Sequence, residues 1–237
     1  MPPVRSRHRL DSSVMTGPNQ LSHPPQVPLV FYVTDRRGFG LEESQAAARL
    51  LETIENAAWA GVDTVQIREK DLSGRAMLEL TKGAMPRAGQ TKVVVNDRLD
   101  VALAASAAGV HFGGESIGAA DAVAFRAAGR APADFLIGRS CHSLEEALQA
   151  ENDGANYVFF GPVFATPSKL RFGPPQGTTA LSAVCRGVRI PVVAIGGITL
   201  ENAASCISAG ASGVAAIRLF QEADDLASIV RGLKKSN

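Results

Sequence analysis

Cations, hydroxyls and glycines recur along this chain at places where a phosphate could be held. Arg68 and Lys70 stand two residues apart, Thr166 and Ser168 lead into Lys169, and Gly196-Gly197 forms a pair. Guanidinium and ammonium groups bind phosphate oxygens through charge-assisted hydrogen bonds, and hydroxyls add further donors. A glycine pair lets backbone N–H groups come close to an anion. Asp97, next to Asn96 and not far from Arg68, suits a Mg²⁺ ion bridging pyrophosphate oxygens, because that ion is usually held by one or two carboxylates plus the substrate's own phosphates. Gln66, Glu115, Ser140 and His142 are the remaining polar residues that could serve the same site.

Each of these has a plainer reading. Arg68, Glu69 and Lys70 read equally well as a solvated turn with local ion pairs. Asp97 could cap a helix starting near Arg98, and Gly196-Gly197 could be a tight turn. His111 reads as a structural residue of the interior. Cys141 lies between Ser140 and His142, yet no nucleophilic triad is readable around it. The phosphate reading gains its force if all these residues converge on one face of one fold.

The elements that could achieve this alternate regularly. Eight strands are predicted at Leu29 to Thr34, Thr64 to Ile67, Lys92 to Val95, Gly109 to Phe112, Phe135 to Gly138, Tyr157 to Phe160, Pro191 to Ile195 and Gly213 to Ile217. Runs such as Val93-Val94-Val95 are apolar on both faces, as expected of a parallel sheet covered by helices. Between them lie alanine-rich amphipathic stretches, for example Leu50, Ile54, Ala57 and Ala58 before a stop at Gly61, and Leu226, Ile229, Val230 and Leu233 before Lys234 and Lys235. Eight such units in 237 residues predict a single α/β domain, a (β/α)8 TIM barrel over 29–237. In that fold Gln66, Arg68, Glu69 and Lys70 gather at the end of strand two, Asn96 and Asp97 follow strand three, and Glu115 lies just past strand four. Ser140 and His142 follow strand five, Thr166, Ser168 and Lys169 follow strand six, and Gly196-Gly197 follows strand seven. All then meet at the C-terminal face, where barrel enzymes carry their active sites. No GxGxxG follows the first strand, which weakens a dinucleotide reading.

Bulk properties narrow the field further. With 24 Lys+Arg against 23 Asp+Glu, the chain has no global field to gather nucleic acid or an anionic membrane, and no apolar run is long enough for a bilayer. Neither partner is expected, and small phosphorylated molecules are. Three cysteines without CxxC spacing fit a reducing, cytoplasmic setting. Residues 1–28 lack periodicity and an apolar targeting core, and are expected to be a disordered tail. A homo-oligomer is compatible with all of this.

Tyr32-Val-Thr-Asp35, Val65-Gln-Ile-Arg-Glu-Lys70, Val95-Asn-Asp-Arg98, Gly109-Val-His111, Gly138-Arg-Ser-Cys-His-Ser143, Gly161-Pro-Val-Phe-Ala-Thr-Pro-Ser-Lys169 and Ala194-Ile-Gly-Gly-Ile198, in this order and spacing, resemble the thiamine phosphate synthase superfamily. The resemblance implies one of two enzymes. A synthase joins hydroxymethylpyrimidine diphosphate to a thiazole phosphate and releases pyrophosphate. A thiazole tautomerase isomerises a thiazole carboxylate phosphate. For the synthase, the resemblance implies that Arg68, Lys70, Asn96 and Lys169 hold the diphosphate, Asp97 binds Mg²⁺ and Gln66 contacts the pyrimidine. Thr166, Ser168, Gly196 and Gly197 would bind the thiazole phosphate, and Ser140 would stand beside the reacting groups. For the tautomerase, His142 would move the proton. The retained Arg-Glu-Lys and Asn-Asp-Arg residues favour the synthase. A non-catalytic phosphate-binding barrel is the reading outside enzyme chemistry.

The sequence departs from the synthase pattern twice. Ser116 stands where a second metal-binding Asp is usual, with Glu115 one residue early as its possible replacement. Arg218 stands where a Ser of the thiazole-phosphate pocket is usual. The long connection from Ala165 to Gly177 is expected to act as a lid that carries Lys169 over bound phosphate.

Overall fold

The computed structural model describes residues 27–113, 116, 118–166 and 174–236. Eight strands pair in parallel in chain order and close into a barrel, β1 (Leu29–Val33), β2 (Thr64–Ile67), β3 (Lys92–Asn96), β4 (Gly109–Phe112), β5 (Leu136–Cys141), β6 (Tyr157–Phe160), β7 (Val192–Ile195) and β8 (Gly213–Ala216). The helices between them are α1 (Glu43–Trp59), α2 (Gly74–Ala88), α3 (Leu99–Ala104), α4 (Ala119–Ala127), α5 (Leu144–Asn152), α6 (Gly177–Gly187) and α7 (Leu200–Ser208), and two more, α8 (Arg218–Gln221) and α9 (Leu226–Lys234), follow β8. This is the expected (β/α)8 TIM barrel. Among the described residues no helix is long and apolar enough to cross a membrane. Residues 1–26 of the expected tail lie outside the described residues.

Side chains alternate across each strand, so every strand feeds two cores. Outward residues such as Val30, Tyr32, Val93, Val95, Ile137 and Val158 pack against the helices. Inward ones, Phe31, Val33, Tyr157, Phe159, Val193 and Ala215, fill the barrel, with the Phe31 and Phe159 rings in edge contact at 5.2 Å. Leu50, Ile54 and Ala57 of α1 and Val230 and Leu233 of α9 are buried as their spacing predicts. Gly61 ends the α1 segment in a left-handed turn, φ 92°.

Three details differ from the sequence expectation. β3 includes Asn96 and β5 runs on through Cys141, so Ser140 pairs with Phe159 inside the sheet and does not follow it. Polar side chains at a strand's end look like loop in a sequence, yet here they point into a barrel mouth where polarity is tolerated. Gly177 opens α6 and does not end a loop. The short α8 and a 3₁₀ turn at Arg36–Phe39 were not anticipated.

Closure depends on the seam between β8 and β1. Leu29 pairs with Gly213, and a Cβ added at Gly213 would lie 2.1 Å from the Leu29 carbonyl oxygen. Nearby, Asp63 accepts from the Val30 N–H at 2.8 Å and from Lys234 Nζ at 3.1 Å, tying α9 to the base of the seam. Because the obstruction is backbone, Gly213→Ala must push the two strands apart. Overpacking of this kind costs roughly 1–3 kcal/mol or more. Thermal unfolding should show the midpoint falling by about 3–10 °C, and an unchanged midpoint would contradict the seam geometry.

Candidate active site

The loop carrying Arg68 and Lys70 is fixed from beneath by buried charge. Arg36, 2% exposed, donates to Glu43 at 2.8 and 3.0 Å, to Asp71 at 2.8 and 2.6 Å and to Glu69 at 3.1 Å. Glu69, also 2% exposed, accepts in addition from the Arg36 backbone N–H and from the Thr34 hydroxyl at 2.5 Å. Thr34 Oγ1 in turn accepts from the Arg68 N–H at 2.9 Å. The reading of Arg68-Glu69-Lys70 as a solvated turn is therefore corrected: the middle residue is interior. Burial raises the Glu69 carboxyl's pKa, opposed by Thr34 and Arg36. Half-buried Arg68 and exposed Lys70 stand on either side of it, facing solvent.

A second chain of contacts links β2, β3 and the loop after β4. Gln66 Nε2 donates to Asn96 Oδ1 at 2.8 Å, and Asn96 Nδ2 donates to Asp97 Oδ2 at 2.6 Å. Asp97 Oδ1 accepts from the Gly113 N–H at 2.8 Å and from the Ser116 hydroxyl. Asp97 has the left-handed φ of 61°, a conformation that costs a non-glycine residue energy and turns its carboxylate toward the β4 loop. It does not cap α3, which begins behind Arg98 without a side-chain cap. The buried Gln66 Oε1 has no hydrogen-bond partner among the described residues. A cleft of about 250 Å³ lies beside these loops, lined by Glu69, Lys70, Leu72, Met77, Asn96, Asp97 and Arg98.

Deeper in the barrel, His111 is 1% exposed, with its ring nitrogens 3.2 Å from the Tyr157 hydroxyl and 2.9 Å from the Ser140 hydroxyl. Burial lowers its pKa to about 3, so it is neutral at physiological pH. Ser140 is half-buried at the upper end of β5. His111 is thus interior, as expected, but it also touches a candidate residue.

On the opposite side, Gly196 and Gly197 have left-handed φ angles of 98° and 64°. A Cβ on the first would meet Pro162 Cα at 2.6 Å, and on the second the Ala165 carbonyl at 2.5 Å. The pair is required by the loop after β6, which it braces next to buried Thr166. Asn202, not singled out in the sequence, donates to the Gly197 carbonyl at 2.8 Å and fixes that turn. His142 is exposed, its Nδ1–H donating to the Gly161 carbonyl at 2.5 Å, outside the two polar chains. Arg218 is exposed at the start of α8. Burial pushes the Cys141 thiol up to about 12, which removes it as a nucleophile. Ser168, Lys169 and most of the expected lid, together with Glu115, lie outside the described residues.

The chain as a whole has relatives among known proteins. The family model described as thiamine monophosphate synthase matches residues 36–220. The chain belongs to the thiamine monophosphate synthase family. A thiamine-phosphate synthase of Roseiflexus castenholzii is 43% identical over 223 residues, 93% of this chain and 92% of its own. Another, of Chloroflexus aurantiacus, is 43% identical over 183 residues, 76% of this chain and 82% of its own. A solved thiamine phosphate pyrophosphorylase from Pyrococcus furiosus superposes with a TM-score of 0.73 at 34% identity, covering 88% of this chain and 94% of that one. The matched span of the family takes in both polar chains and, apart from Thr34, the Arg36 cluster.

The Arg36 cluster has a consequence for stability. Asp71, hydrogen-bonded to Arg36, has its pKa lowered from 3.8 to about 2. The folded state binds this proton less readily than the unfolded chain, so the pair's contribution is fully present above pH 4 and is lost as the pH falls toward 2. Because Asp71 is solvent-exposed and screened, its size is on the order of 1 kcal/mol. Denaturant unfolding between pH 5 and pH 2.5 should show a shallower loss of stability for Asp71→Asn than for the parent. Parallel pH profiles would contradict the assignment.

Proposed function

We propose that this transferase joins hydroxymethylpyrimidine diphosphate to thiazole phosphate at the C-terminal mouth of the barrel and releases pyrophosphate, a step of thiamine biosynthesis carried out in the cytoplasm. The observation that carries the reading is the continuous chain Gln66–Asn96–Asp97–Gly113/Ser116 standing beside Arg68 and Lys70. It sets amides and a carboxylate in the same mouth as two cations, Lys70 sharing a cleft with Asn96 and Asp97, in a family whose quoted relatives are named for this synthesis.

In the proposed reaction the bond between the pyrimidine methylene and the diphosphate oxygen breaks, the departing pyrophosphate carries the electron pair, and the thiazole nitrogen closes on the methylene cation. Arg68, Lys70, Asn96 and Lys169 stabilise charge on the leaving group. Gln66, whose Oε1 is left unpaired, contacts the pyrimidine. Thr166, Ser168 and the loop braced by Gly196 and Gly197 take the thiazole phosphate, with exposed Arg218 as a further cation. Ser140 stands beside the reacting groups.

Mg²⁺ is proposed as the cofactor, supplying charge neutralisation on the leaving pyrophosphate when bound. Asp97 fits it: Oδ2 accepts one hydrogen bond, from Asn96, and keeps a lone pair for a cation, whereas Oδ1 is occupied by Gly113 and Ser116, and one carboxylate plus substrate phosphates suffices for this ion. Among the described residues no cluster of three acidic, histidine or cysteine ligands forms, so Glu115 is proposed as the second carboxylate.

Asp97 and His142 separate this reaction from thiazole tautomerisation. Asp97→Asn should lower coupling activity by orders of magnitude, whereas His142→Gln should reduce it much less. Removing a general acid/base typically costs about 10²–10⁴ in rate, so the reverse order, or Mg²⁺-independent isomerisation without pyrophosphate, would defeat the proposal.

A further inference from the structure

Three inward-facing side chains on neighbouring strands form a line through the barrel: Tyr157 at the start of β6, His111 on β4 and Ser140 near the end of β5. Tyr157 Oη lies 3.2 Å from His111 Nδ1, and His111 Nε2 lies 2.9 Å from Ser140 Oγ. The line exists because of Gly138. This residue lies in register between His111 and Tyr157, and a Cβ there would stand 2.5 Å from His111 Nδ1 and 2.5 Å from the Tyr157 hydroxyl. Only a missing side chain lets the phenol reach the imidazole. Phe159 packs on the imidazole at 4.3 Å and holds its plane.

We propose that Tyr157 and His111 are positioning residues that fix the Ser140 hydroxyl as a hydrogen-bond donor to an anionic oxygen of the bound substrate.

The direction follows from counting protons. A neutral imidazole carries one N–H, on Nδ1 or on Nε2. Among the described residues the Tyr157 hydroxyl has His111 as its hydrogen-bond partner. If Nδ1 carried the proton it would donate to the phenol oxygen, and the phenol's own proton would be left buried without an acceptor among the described residues, which is costly. Tyr157 therefore donates to Nδ1, the imidazole proton sits on Nε2, and Nε2–H donates to Ser140 Oγ. Burial keeps the phenol protonated and the imidazole neutral, consistent with this polarity. Ser140 has then used its oxygen as acceptor toward His111, and its own proton points elsewhere. Ser140 is half-buried at the upper end of β5, so this proton is available to a substrate in the mouth. The same polarity excludes Ser140 as a nucleophile activated by His111, since Nε2 is already protonated and cannot take its proton.

The proposal rests on the coupling reaction above for what Ser140 donates to, but the relay itself can be measured without substrate. In ¹⁵N-histidine-labelled parent protein at pH 7, long-range ¹H–¹⁵N correlation should show His111 as the Nε2–H tautomer. An Nδ1–H tautomer or a protonated ring overturns the relay. In kinetics, Tyr157→Phe keeps the aromatic packing and removes the donor. We expect kcat to fall about tenfold with KM for the diphosphate substrate within twofold, and Tyr157→Phe/Ser140→Ala to be no slower than Ser140→Ala. Unchanged kcat in Tyr157→Phe, or a double variant slowed by the product of the single effects, overturns it. Should the parent show no coupling activity, the functional reading fails, and the tautomer still decides the relay.

Discussion

The Glu69 carboxylate is out of water, and much of the mouth's geometry follows from how it is satisfied. A buried carboxylate is tolerated when its charge is countered and its oxygens are hydrogen-bonded. Glu69 obtains both from the segment just after β1: the Thr34 hydroxyl, the Arg36 N–H and the Arg36 guanidinium. The β1 and β2 loops are thereby bound into one body. Arg68 and Lys70, the neighbours of Glu69 in sequence, are consequently presented at fixed positions although neither is itself buried. An exposed cation on a loose turn would lose side-chain and backbone entropy on gripping a phosphate, whereas here the backbone part of that cost is met when the chain folds.

The barrel wall divides the mouth into two kinds of surface. On β2 to β5 the upper inward positions are Gln66, Asn96, His111 and Ser140, all hydrogen-bonded to one another in pairs. On β6, β7, β8 and β1 they are apolar, including Phe159, Val193, Ala215 and Val33. In the proposed reaction a charged leaving group and a planar heteroaromatic ring would use these two surfaces side by side. The polar half is satisfied by hydrogen bonds between strands, so that Gln66 Oε1, without a partner among the described residues, stands out as a buried acceptor. Asp97 extends the polar half outward by adopting a left-handed backbone that most residues avoid.

Much of this was legible from periodicity and from the order of short motifs. The eight strands, their continuous apolar character and the helix faces of α1 and α9 follow from repeats of two and 3.6 residues. The residues that interrupt those repeats were harder. Ser140 and Asn96 read as loop because polar residues end a hydrophobic run, yet counting alternate positions from Leu136 and from Val94 sets both facing the lumen, and the same count sets His111 beside Ser140. Glu69 was hidden because an Arg-Glu-Lys triplet is ordinarily solvated. Its burial depends on Arg36, more than thirty residues away, and a single sequence carries no local sign of such a partner. Gly138 gives no signal either, since its need for a bare Cα comes from two aromatic side chains on other strands.

In the proposed reaction the mouth of this barrel makes a new carbon–nitrogen bond while expelling pyrophosphate, and one measurement reads that directly. The purified chain is incubated with hydroxymethylpyrimidine diphosphate, thiazole phosphate and Mg²⁺, and pyrophosphate and thiamine phosphate are quantified together. The expected result is one equivalent of each per turnover, dependent on both substrates. Binding of both substrates with neither product formed would contradict the account.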